Sequence, residues 1–190
     1  FLSAAAVAGR MGPASLAAHQ ILLQLWNFLT LVLDSMAIAA QALVGAALGA
    51  RSAPVAREVA NRVLRFSVLV AGLLAVVLAA GYHVFPRIFT QDTSVLDTMQ
   101  VPWWLLIVLV LLGGVVFALD GVLLGAADVS FLRNATIASV VLGFIPVVWL
   151  AWIFSWGLTG VWCGLLAFIA LRLLAVWWRY RGDAWLRPAL

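Results

Sequence analysis

The sequence predicts an all-α fold, a polytopic membrane helix bundle, and three observations carry that prediction. Apolar residues make up 66% of the chain against 9% charged, with a mean hydropathy of +1.16, a balance foreign to ordinary soluble domains. The hydropathy is spread along nearly the whole length, in runs of about twenty residues or more that could each cross a bilayer. Arginines collect between the runs and tryptophans near their ends, as they do at the two faces of a membrane.

The elements follow in order over one bundle, 1–190. Phe1 to Gly9 is apolar but too short to span, with no initiating Met and no basic stretch ahead of it. It reads as the tail of a span whose beginning is missing, so the chain reads as a fragment of something longer. Gly12-Pro13 breaks the chain, and a long helix is expected over 18–49, tilted or projecting because it exceeds bilayer length. Arg51-Ser52-Ala53-Pro54 ends it, and a second span is expected over 63–82. His83 to Asp92 forms a loop, with Asp92 or Thr93 placed to N-cap a short helix. Pro102 then suits the first turn of a span over 103–126. A polar turn, Asp128 to Asn134, leads to a span over 135–154, which Pro146, one turn after Gly143, should kink. The last span is 158–178. Gly45 with Gly49, Gly121 with Gly125, and Gly160 with Gly164 offer small surfaces for close helix contact.

Orientation comes from the arginines, since the chain has no lysine. Four lie between 51 and 65 and three in the C-terminal tail, with Arg172 one turn inside, whereas the opposite side holds Arg10 and Arg87. The arginine-rich side, with the C-terminus, is expected in the cytoplasm of a bacterial cell. Trp103, Trp104, Trp152, Trp156, Trp177 and Trp178 fall where an interfacial aromatic belt is expected. A pI near 10.6 could suggest nucleic acid, but arginines set between apolar runs belong to a membrane surface, so none is expected as a partner. Cys163 lies in an apolar run and reads as packing.

One acid breaks the longest run. From Ala18 to Ala50 the only charge is Asp34. Gln20, Gln24, Asn27, Thr30, Asp34, Gln41 and Gly45 recur at steps of three, four or seven, within roughly a third of the helix circumference. Aspartate at mid-membrane costs about 2.5–3.5 kcal/mol, so this stripe should face protein or water and line a polar path. Asp120 is a second intramembrane acid, sharing a face with Gly113, Phe117 and Leu124. The topology sends the two helices the same way, with Asp120 roughly 12 Å and Asp34 roughly 25 Å from their cytoplasmic ends. Two acids at different depths suit a path for a proton or cation; the alternative for each is an inert polar contact between helices. His19 and His83 have no metal-ligand company, and no nucleophile triad, phosphate loop or Cys pair points to an enzyme.

Five stretches, in order, resemble the multidrug and toxic compound extrusion (MATE) transporters, in particular their DinF-like branch. They are Ala17-Ala18-His19-Gln20-Ile21, the run Asp34 to Gly45, Phe89-Thr90-Gln91-Asp92 after Phe85-Pro86, Leu119 to Asp128, and Gly157-Leu158-Thr159-Gly160-Val161-Trp162. Their spacing is similar to the C-terminal six-helix lobe of such a transporter with its first helix truncated. The resemblance implies a twelve-span protein of two lobes, with a central cleft opening to each side in turn. Drugs, cationic or amphipathic small molecules, would leave in exchange for H⁺ or Na⁺, with no other cofactor. The implied cleft residues are Asp34, Asp120, Gln20, Gln24, Asn27 and Gln41. The partners would be the lipid bilayer and the missing N-terminal lobe, which carries the first-span acid usually given the coupling role in that branch. Ser35 stands where relatives tend to carry Gly. A lipid or lipid-linked flippase of the same superfamily would want a wider, more basic cleft, and the sequence offers no intramembrane arginine for it. A non-transporting truncated fragment is the other alternative.

Overall fold

A computed structural model describes residues 12–154 and 156–186. Five helices in it are long and apolar enough to cross a membrane. They are α1 (Pro13–Gly49), α2 (Ala53–Ala80), α4 (Thr93–Gly125), a composite of α5 (Val129–Ser139), a π-turn (Val140–Phe144) and α6 (Ile145–Ile153), and α7 (Gly157–Arg181). A five-residue helix, α3 (Phe85–Phe89), lies between α2 and α4, and a 3₁₀ turn, Ala184–Leu186, follows α7. The partial span expected at 1–9 lies outside the described residues, as do Arg10 and Arg187.

The helices outrun the apolar segments that predict them. Pro54 opens α2 in its first turn, so Arg57, Arg62 and Arg65 ride on the helix and not in a loop. Asp92 does cap a helix, its carboxylate accepting the Ser94 backbone N–H at 2.9 Å and the Ser94 hydroxyl at 2.7 Å. That helix is not short, however. It runs unbroken into the next span with Pro102 inside it. Met99, Pro102 and Trp103 are all buried, and their packing holds the helix together where proline removes one backbone hydrogen bond.

Helix α4 is the hub, with 61% of its apolar window buried against 17% for the span Val129–Ile153. Around it lie α1, α2 and α7. Glycines set the approach. A Cβ on Gly121 would sit 2.2 Å from the Ala37 carbonyl oxygen, and one on Gly125 2.6 Å from that of Gln41, so α1 and α4 touch backbone to backbone. Gly160 and Gly164 make room on α7 for the side chains of Ala151 and Val148, whereas a Cβ on Gly49 would meet nothing within 4 Å. Gly114 admits α2, where the buried Ser67 hydroxyl donates to the Gly114 carbonyl at 2.7 Å.

Proline 146 has no N–H to offer, and the turn before it widens into the π-turn, the irregularity expected where a helix loses a rung. Trp104, Trp152, Trp156 and Trp178 are exposed on the outer surface. Trp103 departs from the expected belt: it is fully buried, its indole N–H donating to the Leu78 carbonyl at 3.2 Å.

The arginine-rich end is tightly tied. Helices α1 and α4 both finish in left-handed turns, at Arg51 (φ 55°) and Ala127 (φ 59°). In each, one amide reaches back five residues, Ser52 to Ala47 and Asp128 to Leu123, which satisfies carbonyls the helix end leaves open. Arg57 bridges Asp183 at 2.6 Å and donates to the Tyr180 carbonyl, while Arg179 pairs with Asp128 at 2.7 Å.

Candidate functional site

On α1, Asp34 is exposed, and Thr30 and Asn27 lie one and two turns before it on the same face. These three share a cavity of about 380 Å³ with Trp26, with Phe117 and Asp120 of α4, and with Trp162, Phe168, Ile169 and Arg172 of α7. The cavity therefore joins both intramembrane acids to an aromatic wall. Its position follows from the glycine contact: Asp120 immediately precedes Gly121, and Asp34 sits one turn before Ala37, the residue that Gly121 touches.

The remaining predicted residues separate. Gln20 and Gln41 are exposed on α1 but do not line this cavity. Gln24 turns toward α2 and lines a different, apolar groove of about 500 Å³ with Phe28, Leu74 and Phe85. Of the stripe, Gln20, Gln24, Asn27, Asp34 and Gln41 are exposed and Thr30 and Gly45 half-buried, and only Asn27, Thr30 and Asp34 line the cavity that Asp120 borders.

Asp120 is not alone. Arg172 donates to its Oδ2 from Nε at 3.1 Å and from Nη2 at 2.8 Å, and both side chains are largely buried. The third guanidinium nitrogen, Nη1, donates to the Thr136 hydroxyl on α5, whose own proton goes to the Leu132 carbonyl at 2.7 Å. One side chain thus straps α7 to α4 and to α5. Asp120 Oδ1 is buried with no hydrogen-bond partner among the described residues. This corrects the sequence reading, which found no intramembrane arginine. Arg172 lies nine residues before the end of α7 and borders the cavity. The signal was present: Arg172 is the single charge between Leu158 and Trp178, and the argument applied to Asp34 applies equally to it.

His19 is fully buried, neither ring nitrogen is hydrogen-bonded among the described residues, and it meets Trp162 edge to face at 6.1 Å between ring centroids. His83 is exposed and meets Tyr82 edge to face at 4.8 Å between ring centroids.

The MatE family profile matches residues 1–149. Protein DETOXIFICATION 42 of Arabidopsis thaliana is 32% identical over 175 residues, covering 92% of this chain and 34% of that protein. DNA damage-inducible protein F of Escherichia coli (strain K12) is 32% identical over 184 residues, covering 93% and 39%. The crystal structure of the eukaryotic MATE transporter AtDTX14 superposes with a TM-score of 0.84 over 90% of this chain and 38% of that one, at 21% identity, which bears on the fold alone. The chain spans about a third of the length of the curated relatives it matches, in their C-terminal half. It is a multi-pass membrane chain, its relatives are transporters and not enzymes, and it belongs to the MatE family.

Proposed function

We propose that this chain is the C-terminal lobe of a cation-coupled exporter of amphipathic or cationic small molecules, working by alternating access. The observation that carries the reading is the shared cavity. Two carboxylates from different helices, the Asn27 amide and the Thr30 hydroxyl converge on a pocket walled by Trp26, Phe117, Trp162 and Phe168. An aromatic wall takes up the apolar body of such a compound, and an unneutralised carboxylate takes up its positive charge. A coupling cation that competes for the same carboxylate would make occupancy by one exclude the other. Exchange then needs only that each binds differently in the inward- and outward-facing states. The arginine-rich end is assigned to the cytoplasm of a bacterial plasma membrane.

The flippase alternative is disfavoured by charge. Arg172 places a guanidinium at the cavity, but Asp120 already engages it, leaving no surplus positive charge for a lipid phosphate.

The test is Asp34→Asn in the full-length parent, reconstituted in proteoliposomes and driven by a proton or a sodium gradient. Dye exchange under one of the gradients should collapse. Unchanged exchange at equal incorporation removes Asp34 from the mechanism.

A further inference from the structure

We propose that Arg172 is the resident counter-ion of Asp120, and that the exchangeable positive charge of this lobe is held at Asp34. The inference rests on the transport reading above and assigns the cation within it.

The argument begins with a charge count. The cavity is bordered by two carboxylates, Asp34 and Asp120, and one guanidinium, Arg172. One negative charge is left over, and geometry decides which acid carries it. Arginine keeps its charge at any physiological pH, and all three nitrogens of this one are engaged: two on Asp120 Oδ2 and one on Thr136. The pair is nearly sealed from water, the side chains being 15% and 18% exposed. A proton or alkali cation arriving at Asp120 would have to compete with a guanidinium already in contact, tethered from a third helix.

Asp34 is the opposite case. It is exposed, and among the described residues no hydrogen bond or ion pair engages its carboxylate. Asn27 and Thr30, on the same helix face, border the same cavity, and their side-chain oxygens are the neutral donors nearest in sequence on that face. An accessible carboxylate with neutral oxygen donors beside it can take up one positive charge and give it back. A carboxylate held by a built-in arginine is already loaded.

Arg172 is therefore a positioning residue. It occupies Asp120 with a built-in positive charge, ties α4, α5 and α7 together, and leaves a single carboxylate in the cavity open to exchange. Loading is one step: the Asp34 carboxylate accepts a proton and becomes a neutral carboxylic acid, or coordinates one alkali cation.

The experiment uses the full-length transporter in proteoliposomes, with ethidium as substrate and separate proton and sodium gradients. Wild type should exchange under one gradient, which identifies the cation. Asp34→Asn should lower that exchange at least about tenfold. The double variant Asp120→Asn with Arg172→Met removes both charges together and, whatever its rate, should still be driven by the same gradient as wild type, because a pair replaced as a unit leaves no orphaned ion and Asp34 still carries the exchangeable charge. A double variant that melts like wild type yet no longer responds to that gradient overturns the proposal, and so does Asp34→Asn with wild-type exchange. A second measurement needs no variant. Dicyclohexylcarbodiimide reacts with protonated carboxyl groups, and mass spectrometry should find its adduct on Asp34 and not on Asp120, with labelling blocked by sodium where sodium drives exchange and increased by acid where protons do. An adduct on Asp120 overturns the assignment even where the double variant fails to fold. A wild type inert under both gradients removes the transport reading itself, whereas coupled exchange with the wrong variant pattern removes only the role given to Arg172.

Discussion

Substituting one glycine should test whether the backbone contact between α1 and α4 sets the cavity. A Cβ on Gly121 would meet the Ala37 carbonyl oxygen at 2.2 Å and the Ala37 Cα at 2.7 Å, where ordinary contact begins at 3.4 Å. Those atoms are backbone, so no rotamer change relieves the clash, and the helices would have to part by about 1 Å. Overpacking of this kind costs about 1–3 kcal/mol, and with no side chain able to yield, Gly121→Ala belongs at the upper end. For a lobe of this size about 3 kcal/mol corresponds to roughly 6–12 °C in melting temperature. The loss of activity should exceed the loss of stability, because the parted helices carry Asp120 beside the clash and Asp34 one turn away. Gly72→Ala is the control: nothing lies within 4 Å of its Cβ position, and alanine in a helix gains about 0.5–1 kcal/mol over glycine. Thermal unfolding followed by size-exclusion fluorescence reads stability, and dye exchange in proteoliposomes reads function. If Gly121→Ala melts with Gly72→Ala and transports normally, the backbone contact does not hold the site.

Three further outcomes are expected. Ala127→Gly should raise stability by about 0.5–1 kcal/mol in a thermal melt, since Ala127 sits at φ 59° where a Cβ is strained; an unchanged or lower melting point refutes that strain. Arg172→Met alone should cost about 2–3 kcal/mol, below the 3–5 of a fully buried pair because both side chains retain some exposure, and adding Asp120→Asn should restore most of it; a double variant no more stable than the single denies the pairing. The Ser94 hydrogen bonds hold the Asp92 carboxyl below its ordinary value of 3.8. A lowered value in the fold means that the cap's contribution is complete above 3.8 and disappears as pH falls through the lower folded value. The melting difference between wild type and Asp92→Ala should therefore hold at neutral pH and close below 3.8; a difference that persists into strong acid refutes the ionised cap.

Periodicity and hydropathy made the bundle legible because lipid imposes both at once. A helix must be long enough and apolar enough, and a lone acid inside one must find company. Asp34 with Asn27 and Thr30, and Asp120 with its flanking glycines, could be found on those grounds. Helix ends were less legible. The run from Thr93 to Gly125 looks like two elements because Pro102 interrupts the pattern, and only the tertiary burial of Met99, Pro102 and Trp103 shows that one helix continues through it. Trp103 likewise matches the composition of an interfacial belt, and its burial depends on a carbonyl at Leu78, a contact across helices that no local pattern encodes. The pairing of Arg172 with Asp120 spans 52 positions. Sequence can mark each as an expensive charge, but their meeting depends on α7 crossing α4 at one register. Gln20, Gln24 and Gln41 show the reverse limit. A stripe identifies an unusual helix face, while the neighbouring helices decide which part of it becomes a cavity.

The same contacts indicate where a lobe of this kind could move. Asp34 and Asp120 ride on two helices joined backbone to backbone at Ala37 and Gly121, so their separation is fixed by atoms that cannot rotate away. The span from Val129 to Ile153 is built differently. It is the least buried of the five, it carries the π-turn ahead of Pro146, and Thr136 connects it to Arg172 one turn before that irregularity. A π-turn has lost the regular ladder that makes a helix rigid, so bending there disrupts fewer hydrogen bonds than bending elsewhere. In the proposed cycle α1 and α4 thus form the platform that keeps the two acids in register. The outer span is the element able to flex, and Arg172 is the link by which its position reaches the Asp120 carboxylate.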